Sequence, residues 1–175
     1  MKNLNATAII LIVIAIMMKF LINASKKKPA IDSQGNKILK LPRPYEIMGV
    51  ILFFASLIIL IYSIIDFNPK NILYQFIIFV LFGGLGFLLI LFGRVYQVTF
   101  NDNEISSKSI FGKINTICWK NVKQVKFNQA SAKLKINDGM NTIKCHQHLV
   151  GFPALVNFLK TKLNITSDQI DLPNY

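Results

Sequence analysis

The stretch Ile47 to Ile65, IMGVILFFASLIILIYSII, carries no charged side chain. As a helix rising about 1.5 Å per residue it is roughly 28 Å long, close to the ~30 Å thickness of a bilayer's hydrocarbon core. A second uncharged run, Asn71 to Gly93, is longer still. Between them lie only Asp66-Phe67-Asn68-Pro69-Lys70, enough for a tight reversal. Residues 47–65 and 71–93 therefore read as two transmembrane helices forming an antiparallel hairpin. Such pairing brings Ala55 and Ser56 to the depth of Gly83, Gly84 and Gly86, where small residues let two backbones approach. Neither run holds an ionisable group at mid-bilayer, so the usual mark of a proton or ion path is missing from them.

Upstream, residues 4–23 are also apolar but are interrupted by Lys19. Two readings compete here. A Lys near a helix end snorkels to the headgroups, making a third transmembrane helix; alternatively Lys2, the apolar run and Asn23-Ala24-Ser25 resemble a cleavable signal peptide. The following segment, residues 24–45, carries Lys26, Lys27, Lys28, Lys37, Lys40 and Arg43 against Asp32 and reads as a flexible basic linker without a core of its own. The hairpin reversal offers only Lys70 with Asp66. By the positive-inside rule the linker is cytosolic, which favours the retained helix, since a signal peptide would export it. Everything from Arg94 onward then lies on the cytosolic side of a multi-pass membrane protein.

Composition agrees with a chain divided between membrane and water. Of 175 residues 53% are hydrophobic and 16% charged, below the ~25% charged residues usual in soluble domains. Twenty Lys and Arg stand against eight Asp and Glu, a formal charge of +12. That balance suits an anionic partner, and beside apolar helices an anionic lipid surface is a better fit than nucleic acid. Two cysteines, Cys118 and Cys145, are too few for a disulfide framework and are expected as small buried thiols.

Beyond Arg94 the hydrophobic period changes from helical to alternating. Tyr96, Val98 and Phe100 alternate with Gln97 and Thr99. Five more strands follow: Glu104 to Ile110, Ile114 to Trp119, Val122 to Phe127, one around Leu134 and Ile136, and Asn141 to Gln147. Asn101-Asp102-Asn103, Phe111-Gly112-Lys113 and Asn137-Asp138-Gly139 mark turns between them. After Gly151-Phe152, Pro153 suits the first turn of a helix, and Leu155, Phe158, Leu159 and Leu163 recur at helical spacing, with Lys160 and Lys162 complementing the dipole at its end. The fold class is thus a membrane protein of α+β type. Three transmembrane helices, two at the least, precede a small antiparallel β-barrel or sandwich over residues 94–164, closed by a helix, with a tail at 165–175.

The strand order and the stretch Ile117-Cys118-Trp119-Lys120-Asn121-Val122-Lys123-Gln124-Val125-Lys126-Phe127 resemble the bacterial pleckstrin-homology-like domains. The resemblance covers Val95 to Leu163 and includes the Gly-Phe pair before the closing helix. It implies a seven-stranded barrel, of which six strands are visible here, and a non-enzymatic role in binding a protein or a lipid surface. An accessory or assembly subunit of a larger membrane complex is the second reading, and an unrecognised membrane enzyme or transporter component the third. The first turn departs from the phosphoinositide-binding pattern, because Asp102 and Glu104 occupy the place of a basic cluster.

Basic residues gather elsewhere. Lys126, Lys133, Lys135 and Lys144 come from consecutive strands and form a positive patch if they share the face opposite Val125, Phe127, Leu134, Ile136, Ile143 and Cys145. They are the candidate contacts with anionic headgroups, against the plainer role of a solvated face. Lys123 falls on the other side. Cys145-His146-Gln147-His148 holds metal-ligand residue types, but alternation separates Cys145 from the two histidines, which point outward with Lys144. No metal, no cofactor and no catalytic residue is expected. The chain lacks a Gly-rich phosphate loop after a strand and a nucleophile elbow, and no aromatic stacking platform accompanies the lysines as nucleic-acid binding requires.

Overall fold

A computed structural model describes Lys19, residues 22–65 and residues 72–164. Most of the expected first helix (4–23), the reversal at 66–70 and the tail at 165–175 lie outside these residues. The chain divides into two compact units. One comprises Arg43–Tyr96 with Lys108–Lys113, and the other gathers the segment ending at Pro42, Gln97–Ser107 and the residues from Ile114 on.

The first unit is built on two helices, α1 (Arg43–Ile65) and α2 (Ile72–Arg94), each long and apolar enough to cross a membrane. Helix α1 starts at Arg43, four residues before the expected span, because Pro44 fits a first turn where no N–H is needed. Their packing is antiparallel, with small residues at the seam. A Cβ added at Gly49 would lie 2.7 Å from the Gly86 carbonyl, and one at Gly86 would lie 2.7 Å from the Gly49 carbonyl. One turn further along, Gly83 meets the Ser56 hydroxyl, and Ser63 is buried on the same stripe. Gly49, Ser56 and Ser63 stand seven residues apart, the period that holds one helix face against a partner. The expectation for Ser56 and Gly83 holds, but Ala55 and Gly84 lie off the seam: Ala55 is exposed and nothing approaches Gly84. Both serine hydroxyls donate back into their own helix, to the Phe53 and Ile59 carbonyls at 2.7 Å. Helix α2 widens to a π-helical turn at Phe79–Gly83, and an ion pair of 2.6 Å joins Glu46 in the first turn of α1 to Arg94 in the last turn of α2. Phe54, Ile58, Tyr62, Leu73, Phe76 and Leu85 are exposed.

Among the described residues the second unit holds helical residues 22–25, eight strands and a closing helix. Strands β1 (Ala30–Ile31), β2 (Lys37–Lys40), β3 (Gln97–Phe100), β4 (Glu104–Lys108) and β5 (Ile114–Cys118) lie in sequence order in one sheet. Strands β6 (Gln124–Asn128), β7 (Lys133–Asn137) and β8 (Thr142–His146) form a second, antiparallel sheet. A 3-10 turn at Trp119–Asn121 links the sheets, and α3 (Phe152–Leu163) follows. All six expected strands are present.

The basic linker is the part that departs from expectation. Residues 37–40 are a strand pairing antiparallel with β3, Lys40 opposite Gln97 and Leu39 opposite Val98, and Leu39 is fully buried. So the β domain does not begin at 94. It takes a strand from before the helices, and the entire run from Arg43 to Arg94 is an insertion between two paired strands. The local cause is a hairpin: Asp32 accepts hydrogen bonds from the Gln34 and Asn36 backbone, and Gly35 takes a φ of +82°, turning β1 into β2. Further ties hold this segment, with the Val150 N–H donating to the Lys40 carbonyl and the Gly151 N–H to the Ser25 carbonyl. Gly151 (φ +85°) sits so close to Pro29 that an added Cβ would lie 2.6 Å from the proline ring.

The core joins Val98, Phe100, Ile105, Ile117, Leu134, Ile136, Ile143, Cys145, Phe152, Leu155 and Leu159. Trp119 is 4% exposed, packs against Phe158 (ring centroids 5.4 Å apart) and donates its indole N–H to the Asn101 carbonyl at 2.8 Å. These partners make it part of the β-domain core. Cys118, expected in the interior, is exposed, because the strand alternation that buries Ile117 turns its neighbour outward.

Candidate functional site

The register of β6–β8 decides where the lysines lie. Lys126 stands directly opposite Lys135, and Lys135 directly opposite Lys144, so three lysines from three strands form one row across the sheet. Lys133 is two residues from Lys135, on the same face, and opposite His146. All four lysines are exposed, while Phe127, Leu134, Ile136, Ile143 and Cys145 are buried on the other side and Val125 is half-buried. The structure thus brings together the four residues singled out from sequence.

The outer face reads as three rows: Gln124, Asn137 and Thr142; Lys126, Lys135 and Lys144; Asn128, Lys133 and His146. No acid is among these nine. Gln124, Lys126, Lys135, Asn137, Thr142 and Lys144 line a shallow concavity of about 440 Å³. Like charges directly opposite on neighbouring strands destabilise a sheet, so the row stands against the usual cross-strand preference for opposite charges. An anion lying across the row would offset that repulsion.

The histidines end differently from the sequence reading. His146 shares the lysine face, but β8 stops there, and His148 lies beyond it, buried and no longer beside Lys144. Their rings stack at 4.9 Å, and the His148 backbone N–H donates to His146 Nδ1 at 3.3 Å. Burial, then the neighbouring His148 and Lys133, lowers the His146 pKa to about 4; burial also lowers that of His148. Both rings are therefore neutral near pH 7. Burial pushes the Cys145 thiol up to about 12, which makes it a poor nucleophile. Among the described residues no three His, Cys, Asp or Glu side chains converge as metal ligands would.

A second concave place went unread in the sequence, because half of it comes from the supposed linker. Gln34, Asn36 and Lys37 from the β1–β2 hairpin meet Phe100, Asn101, Asp102 and Asn103 from the β3–β4 turn and Phe158 from α3, around a cleft of about 340 Å³. Asn101 donates to Asn36 at 2.9 Å, and the Lys37 ammonium lies 5.6 Å from the Phe100 and Phe158 ring centres. Its cation is already engaged by aromatic faces. Asp32 followed by Gly35 and Asn36 between apolar Ile31 and Ile38 is the hairpin signal that the linker reading passed over.

Compared with known proteins, the chain matches no family model, no curated protein and no solved structure.

Proposed function

We propose that this is a non-enzymatic integral membrane protein of the bacterial cytoplasmic membrane whose pleckstrin-homology-like domain, on the cytosolic side, binds the anionic headgroups of the leaflet beside it. The observation that carries the reading is the cross-strand row Lys126-Lys135-Lys144 with Lys133 next to it. Each Lys near an anionic surface contributes on the order of 1 kcal/mol. Four strands β2–β5, three strands β6–β8 and a closing helix support the pleckstrin-homology-like reading, since β2 supplies the seventh strand. The exposed apolar side chains of α1 and α2 support the membrane reading: a core helix in a soluble protein buries them.

Chain connectivity favours the same partner. Only Leu41-Pro42 separates β2 from α1, and only Val95-Tyr96 separates α2 from β3. A link of two residues spans at most about 7 Å.

The test uses the full chain in nanodiscs of phosphatidylcholine alone or mixed with phosphatidylglycerol, with amine-reactive labelling read out by mass spectrometry. Lys126, Lys133, Lys135 and Lys144 are expected to label several-fold more slowly in anionic discs, with the difference lost in about 0.5 M salt. Equal labelling in both lipids returns the lysines to a solvated face. Orientation is checked separately in intact cells, where an impermeant thiol reagent should reach a Cys placed at Asn68 but not one at Asn137.

A further inference from the structure

Tight turns between strands are usually built from Gly, Asn, Asp and Ser. The β4–β5 turn, Ser109-Ile110-Phe111-Gly112-Lys113, has the backbone of one, with the Gly112 N–H donating to the Ser109 carbonyl and Gly112 at a φ of +80°. Yet its tip is apolar. Phe111 is 87% exposed, and Lys108 and Lys113 flank the turn. Leaving such a ring in water forfeits the gain of roughly 1.5–3 kcal/mol that burial of a Phe gives.

The sheet itself says where this tip lies. The chain leaves for the helices after Lys40 and returns from them at Gln97, which is Lys40's register partner, so both connections are at one end of the sheet. Strand β3 runs away from that end to the Asn101–Asn103 turn, where the Asn101 N–H donates to the Glu104 carbonyl, and β4 runs back. The β4–β5 turn is therefore at the same end as the helix connections. Lys108–Lys113 also belongs to the compact unit of the helices and not to that of the remaining strands.

We infer that Phe111, with Ile110, is an interfacial anchor that enters the headgroup and upper acyl region of the bilayer, with Lys108 and Lys113 at the phosphates. An aromatic ring at the interface flanked by cations that snorkel is the arrangement lipid contact favours. The anchor adds an apolar contact to the charge contact of the lysine row. The inference rests on the membrane reading above.

The experiment places single cysteines in the full chain with Cys118→Ser, labels them with the environment-sensitive NBD fluorophore, and reconstitutes the protein in phosphatidylcholine–phosphatidylglycerol vesicles carrying doxyl quenchers at carbon 5 or 12 of the acyl chain. The sites are Phe111→Cys, Met140→Cys as a tip of like exposure (95%) in the β7–β8 turn, and Phe54→Cys on the outer face of α1. The expected result is a blue-shifted probe at 111, quenched at least threefold more by the shallow doxyl than the probe at 140. A water-like, unquenched probe at 111 beside a quenched probe at 54 overturns the anchor and leaves the membrane reading intact. A blue-shifted but unquenched probe at 111 means burial against protein and also overturns it. Loss of quenching at 54 overturns both.

Discussion

The helical hairpin and the β domain pack in opposite senses. In α1 and α2 the contact is made by Gly49, Ser56, Gly83 and Gly86, while Phe54, Ile58 and Phe76 face outward. In the β domain Phe100, Trp119, Phe152 and Leu159 are inside and the lysines are outside. On the membrane reading proposed above, each arrangement answers a different solvent. Water drives large apolar groups together. Lipid does not, so helices associate there through close backbone approach and dispersion contacts. Composition alone shows the difference between the halves, and the packing repeats it.

The largest effect that breaks the comparison comes from cutting the chain between the two regions. A fragment from Arg94 to the C-terminus loses β1 and β2, the buried Leu39 and the ties from Lys40 and Ser25. For a domain of this size, with a total stability of roughly 5–10 kcal/mol at most, it should be largely unfolded by circular dichroism. Residues 24–42 joined to 95–164 through a short Asn-Gly turn should fold, because Lys40 and Gln97 are already opposite each other. A cooperatively folded 94–175 fragment contradicts the inserted-hairpin topology.

Next in size is Trp119→Ala in the full chain. The cavity and the lost indole hydrogen bond should destabilise the β domain by about 3–5 kcal/mol, read by thermal unfolding. Phe54→Ala, on the outer face of α1, should leave it unchanged. An intermediate effect is expected from Gly49→Leu, whose side chain meets the Gly86 carbonyl and the backbone of Ile90. Overpacking there should weaken the hairpin by about 1–3 kcal/mol in detergent titration, without lowering the Tm of the β domain.

The smallest effect is on pH. The folded pKa of His146 is lowered to about 4, against roughly 6.5 in an unfolded chain, and that of His148 is lowered too. Between those values the unfolded chain binds more protons, so β-domain stability is full above about pH 6.5 and is lost as pH falls toward 4. The Tm should drop between pH 7 and pH 5, and His146→Gln should flatten the slope. The apolar runs of the hairpin hold no group titrating in that range, so their unfolding should not respond. A β domain equally insensitive would remove the burial of these rings as a factor.

Periodicity was enough to read the six strands after Arg94, the closing helix and the exposed face shared by Lys126, Lys133, Lys135 and Lys144, because a period of two or 3.6 is a local property of the chain. The absence of charge also identified the two apolar runs, which are long enough to cross a membrane. Three features were decided only by tertiary structure. The four residues Lys37–Lys40 carry too little apolar signal to stand out among linker lysines, and they become a strand only because β3, some sixty residues later, offers its edge. Which small residues meet in the hairpin depends on helix rotation, which selected Gly49 over Ala55. The lysine row depends on strand register, a pairing between separate segments that no single segment encodes.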